Sequence, residues 1–196
     1  MKKGLVEIVF ILDRSGSMAS IKNDAIGGFN SFLEEQKKVP GEANLTLVLF
    51  DHEYNLFYNG VKLQNAKPLD NSTYVPRGTT ALLDAVGRTI DDVGVRLDSL
   101  PEEDRPEKVI VGILTDGFEN ASKDYTNTRI SEMIDLQQKT YNWEFLYLGA
   151  NQDAFSVAQS LNIKGINTSN FVANSIGTRS CFSDVSLRYS KLRTQK

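Results

Sequence analysis

Apolar residues along this chain fall into two kinds of block. Leu5-Val6-Glu7-Ile8-Val9-Phe10-Ile11-Leu12, Leu45-Thr46-Leu47-Val48-Leu49-Phe50, Val109-Ile110-Val111-Gly112-Ile113-Leu114 and Trp143-Glu144-Phe145-Leu146-Tyr147-Leu148 are nearly unbroken. Runs this short, rich in β-branched and aromatic residues, predict strands buried on both faces. Between them the apolar residues recur at helical spacing. Ala25, Ile26, Phe29, Phe32 and Leu33 predict a helix over about residues 18–38, stopped by Pro40-Gly41. Leu82, Leu83, Val86, Ile90, Val93 and Leu97 mark a second helix, and Ile130, Met133, Ile134 and Leu136 a third. A short helix is expected from Asp153 to Leu161. Tyr54, Leu56 and Tyr58 alternate with less apolar positions, as in a half-exposed edge strand. Beyond Gly165 the chain is rich in Asn, Ser and Thr, and the weaker pattern allows a strand near Ile166 and a helix from about Ser183 to Lys191.

Strands alternating with helices imply an α/β fold: a doubly wound, Rossmann-like, mostly parallel sheet with helices on both faces. The chain shows no internal repeat. Its 196 residues suit one domain, taken here as 1–165, with 166–196 as a C-terminal extension packed on it. A net charge of −3 gives no overall basic face for nucleic acid. One cysteine, Cys181, excludes an intramolecular disulfide. With His52 as the one histidine, a Cys/His zinc site is excluded and any Ser-His-Asp triad would run through His52. No apolar run approaches the ~20 residues of a membrane span. The segment after Met1-Lys2-Lys3 is interrupted by Glu7 and carries no small-residue cleavage site, which favours a first core strand and a cytoplasmic protein.

The chemistry lies where the strands end. Asp13-Arg14-Ser15-Gly16-Ser17 follows the first strand and presents a carboxylate and two hydroxyls at alternate positions. Arg77-Gly78-Thr79-Thr80-Ala81-Leu82 sets a threonine before the second helix, and the strand ending at Leu114 runs into Thr115-Asp116-Gly117. In a doubly wound sheet, ligands gather outside the carboxyl ends of the strands. Brought together there, Asp13, Ser15, Ser17, Thr80 and Asp116 could surround one octahedral divalent ion, Mg²⁺, Mn²⁺ or Ca²⁺, all of which take oxygen ligands. Each segment alone also reads as a turn or a helix N-cap; three of them in this order do not.

These residues resemble the von Willebrand factor A (vWA) domain family. Its metal-ion-dependent adhesion site has the pattern Asp-x-Ser-x-Ser, then Thr, then Asp, matched here by Asp13, Ser15, Ser17, Thr80 and Asp116. The resemblance covers about Leu5 to Leu161, with Leu148–Phe155 similar to the late strand-to-helix junction of that fold, and it is nearest to the compact stand-alone bacterial and phage members. It implies a sheet with one antiparallel edge strand. It further implies metal-dependent binding of a protein partner whose Asp or Glu carboxylate completes the ion's shell, commonly without catalysis. Thr79 and Thr80 are adjacent, and the spacing to Leu82 favours Thr80 as the ligand.

Two other functions compete with this reading. One is an Mg²⁺-dependent, phosphatase-like hydrolase using Asp13 as nucleophile, although such enzymes carry Asp-x-Asp where this chain has Ser15. The other, a nucleotide-binding regulator, lacks a phosphate-cradling Gly-rich loop. Asp51 could line the same rim. Glu119 and Asn120 read as solvated loop residues, His52 as a strand-end surface residue and Cys181 as a small buried one.

Overall fold

The structure, a computed structural model, describes residues 1–150 and 153–195. Asn151 and Gln152, within the junction singled out above, and Lys196 lie outside the described residues. Among the described residues, six strands form one sheet: β1 (Lys2–Asp13), β2 (Glu42–Phe50), β3 (Tyr54–Lys62), β4 (Pro106–Thr115), β5 (Glu144–Ala150) and β6 (Thr168–Phe171). Their order is β3-β2-β1-β4-β5-β6, and every pair is parallel except the β2–β3 hairpin at the edge. Five α-helices among the described residues connect or cover the strands: α1 (Lys22–Lys38), α2 (Leu82–Asp98), α3 (Asn127–Tyr141), α4 (Ala154–Ser160) and α5 (Ser175–Thr194).

Side-chain alternation along each strand decides which layer is fed. Ile8, Phe10 and Leu12 of β1 pack with Phe29 and Phe32 of α1 and with Phe182, Val185 and Tyr189 of α5. Val9 and Ile11 point the other way, into a layer with α2, α3 and α4. Both faces are thereby covered, which is why the strands read as unbroken apolar runs. On the first face, Phe10 stacks on Phe182 and meets Phe29 edge-on.

Two elements depart from the sequence pattern. The first helical segment begins as a 3-10 turn, Gly16–Ile21, and becomes α-helical at Lys22. The last helix starts at Ser175, capped by the Asn174 side chain accepting from the Gly177 amide, and is far longer than its apolar residues suggest. Its buried face uses Thr178, Cys181, Phe182, Val185, Ser186 and Tyr189. The spacing is helical, but three of the six are small or polar and so hide the periodicity. Ser186 meets the buried Gln36 amide of α1, at 3.1 Å between the side chains. The strand expected near Ile166 is β6, from Thr168.

Glu7, the one charge in the first run, lies fully buried. Its Oε1 accepts from Arg96 Nη2 and from Thr46 Oγ1, each at 2.6 Å. The guanidinium reaches over Gly60, whose φ of +63° and missing side chain leave room for it. A buried pair of this kind stabilises little relative to an apolar replacement, whereas removing one partner strands a charge. Arg96→Met is therefore expected to lower unfolding free energy by about 3–5 kcal/mol in urea titrations, with the Glu7→Leu/Arg96→Met double substitution recovering most of the loss. A single substitution as mild as the double would contradict this account.

Candidate metal centre

The strand order changes direction between β1 and β4. β1 continues into α1 on one face, and β4 is reached from α2 on the other. The mouth between their carboxyl ends is left to loops, as expected at a switch point. Three loops meet there. Beyond Asp13 the chain still pairs with β2, through Arg14 N to Phe50 O at 2.7 Å, then tightens into the 3-10 turn anchored by buried Met18 and Ile21. A second loop, from Ala66 to Ala81, is held down by Tyr74. Its phenol is fully buried and donates to the Asp13 carbonyl at 2.5 Å. Burial pushes the phenol well above its usual range. The third loop follows β4.

All five sequence-selected side chains meet in this mouth. Asp13 is fully buried; its Oδ1 accepts from the Ser15 amide at 2.6 Å and its Oδ2 from the Thr115 hydroxyl at 2.6 Å. Ser15 Oγ lies 3.1 Å from Ser17 Oγ, and Ser17 Oγ donates to Asp116 Oδ1 at 2.5 Å. Thr80 is buried, whereas Thr79 is exposed. A Cβ on Gly117 would sit 2.9 Å from Thr80 Oγ1, 3.4 Å from Ser17 Oγ and 3.7 Å from Ser15 Oγ. The glycine thus keeps open a small space walled by three hydroxyls.

The charges in this space fit a cation. Burial pushes the Asp13 carboxyl up to about 6, against the opposing hydrogen bonds from Thr115 and Ser15. Burial also raises Asp116, against a bond from Ser17. Hydroxyls and amides, not a basic side chain, offset the two carboxylates. Among the described residues no three His, Cys, Asp or Glu side chains cluster as metal ligands. The donors here are two carboxylates and three hydroxyls, an all-oxygen set suited to a hard divalent ion.

Several supporting residues carry no sequence signal. Asn120 accepts from the Thr80 amide at 2.9 Å and returns its own amide to the Thr80 carbonyl at 3.0 Å. Glu119 accepts from the amides of Leu83, Ala121 and Ser122. Both are braces rather than solvated loop residues. Asp51 is buried and ion-paired to Arg14 and Arg77. His52 is about half exposed, as expected. Cys181 is buried, and its thiol is pushed up to about 12, mainly by that burial.

No protein-family model matches the sequence, and no curated protein matches it. Solved structures do. The vWF domain of the type V pili tip protein Mfa5 from Porphyromonas gingivalis aligns over 97% of this chain and 97% of its own, at TM-score 0.70 and 10% identity. Proximal thread matrix protein 1 from the mussel byssus, with a zinc-occupied MIDAS motif, aligns over 95% of this chain at TM-score 0.64 and 15% identity. This chain spans about half the length of that protein, 46%. The manganese-loaded TRAP protein of Plasmodium vivax aligns over 92% of this chain and 73% of its own, at TM-score 0.61 and 17% identity. The chain has the vWA fold, including its antiparallel edge strand.

A buried carboxylate offset only by hydroxyls and amides should burden the fold when no cation is present. Asp13→Asn keeps the shape and removes the charge, so in chelator at pH 7 it is expected to stabilise the protein by roughly 2–3 kcal/mol in urea unfolding. A destabilised Asp13→Asn protein would contradict this reading of the site.

Proposed function

We propose that this protein is a metal-dependent protein-binding module. Asp13, Ser15, Ser17, Thr80 and Asp116 would hold a divalent cation, taken as Mg²⁺, and an Asp or Glu carboxylate of a protein partner would complete its shell. The observation that carries this reading is the oxygen-walled space beside Gly117, with two buried carboxylates that no basic side chain among the described residues pairs with. The bound ion would supply one Lewis-acidic position open to an anionic oxygen. The chain's own residues do the rest. Thr115 and the Ser15 amide fix both oxygens of Asp13, Asn120 fixes the Thr80 backbone, and Ser17 is tied to Asp116. Zinc in the mussel protein's motif and manganese in the parasite protein support a divalent ion in this fold.

The hydrolase alternative needs Asp13 to attack a substrate. A nucleophile must present an oxygen within reach of the reacting atom. Asp13 is fully buried with both oxygens already accepting hydrogen bonds, which favours binding over catalysis. Among the described residues, no helix is long and apolar enough to cross a membrane.

Titration calorimetry with Mg²⁺ or Mn²⁺ should show one saturable site, and a hundredfold excess over Kd should stabilise the fold by about 2.7 kcal/mol. Gly117→Ala, which fills the hydroxyl-walled space with a methyl group, should abolish both effects while the metal-free protein still melts cooperatively. Asp13→Ala should do the same. A flat titration of the wild type with both ions would sink the proposal.

A further inference from the structure

A cleft of about 460 Å³ opens beside the proposed metal site, lined by Arg14, Arg77, Glu53, Tyr54, Ser72 and Thr73 among others, and by none of the five oxygen-bearing residues. Arg14 stands between Asp13 and Ser15 in the chain, so the cleft is one residue removed from two of the groups proposed to hold the ion. Its side chain is nine-tenths buried.

The arginine is ion-paired along one edge only. Its Nε lies 3.0 Å from Asp51 Oδ2 but is not aligned to donate, and it has no hydrogen-bond partner. The same Oδ2 already accepts from Arg77 Nε at 2.9 Å, and Asp51 Oδ1 accepts from the Glu53 amide at 2.7 Å. One buried carboxylate thus serves two guanidiniums. The other partner of Arg77 is Glu53, more than half exposed and therefore an exchangeable counter-ion. A guanidinium offers five N–H donors in a planar fork that matches a carboxylate in bidentate fashion. Only the Nε of Arg14 is both buried and unpartnered, so the donors open to an incoming carboxylate are the terminal nitrogens of the fork, on the side that lines the cleft.

We infer that this cleft takes a second carboxylate of the same partner, so that the partner segment is an acidic peptide with one carboxylate at the ion and another on Arg14 and Arg77. The inference deepens the metal-dependent reading and rests on it for the first carboxylate.

The test uses fluorescein-labelled hexa-aspartate followed by anisotropy in Mg²⁺, N-acetylaspartate amide as a single-carboxylate probe, and calorimetry with Mg²⁺ alone. Arg14→Gln should weaken hexa-aspartate about tenfold. Its affinities for Mg²⁺ and for N-acetylaspartate amide should match the wild type. Should Arg14→Gln fail to melt cooperatively, Arg77→Gln, with its half-exposed guanidinium, carries the same test with a loss of several-fold. Unchanged hexa-aspartate affinity in a folded variant, or no hexa-aspartate binding to an Mg²⁺-loaded wild type, overturns the inference and leaves the metal site standing. A wild type that binds hexa-aspartate in an Arg14-dependent way but binds no divalent ion overturns the metal reading instead.

Discussion

The Thr115 hydroxyl and the Asp13 carboxylate join the ends of β1 and β4 through a single 2.6 Å hydrogen bond. Around it the connections leave on opposite faces, so no helix can close the mouth. Every loop near the site is fixed by reference to that junction. Tyr74 reaches in from the second loop to the Asp13 carbonyl, and Gly117 turns back beneath Thr115, its carbonyl 3.2 Å from that hydroxyl. A buried carboxylate held this tightly has no freedom to reorient. It can orient neighbours and contribute charge, whereas Ser17, on the same rim, is exposed.

Two buried charged clusters show opposite solutions to one problem. Glu7 and Arg96 neutralise each other deep under the sheet, far along β1 from the mouth. Asp13 and Asp116 sit at the mouth with hydroxyls and amides only. The first arrangement fixes the edge hairpin against α2. The second leaves a deficit of positive charge at the carboxyl ends of β1 and β4. Functional sites are where such local conflicts are retained.

The four inner strands and the first three helices were legible because their apolar blocks are nearly regular: almost continuous runs where two layers cover the sheet, period 3.6 where one face is covered. The five oxygen-bearing residues were legible because alternation after a strand end and a switch-point topology both point to the same mouth. What was not legible depends on contacts distant in sequence. Tyr74 lies in a polar loop with no periodicity, yet is among the most buried side chains. The long reach of α5 was hidden by Thr178, Cys181 and Ser186 on its inner face. Asn120 and Glu119 look like ordinary loop residues until their partners, forty and thirty-six positions away, are in place.

The start of α2 is capped by another part of the chain. Ala81, at its N-cap, has no side-chain hydrogen bond to offer, and the amides of Leu83 and Asp84 are taken by Glu119 and Ser122 instead. Asp84 returns the favour, accepting from the amides of Lys123, Asp124 and Tyr125. The helix and the loop after β4 are therefore stitched into one piece. Neither can be swapped into a relative of the same fold by itself: a graft of the loop would leave a frayed helix behind, and a graft of the helix would arrive without its cap. Redesign of this rim has to treat residues 80–84 and 116–125 as a single cassette.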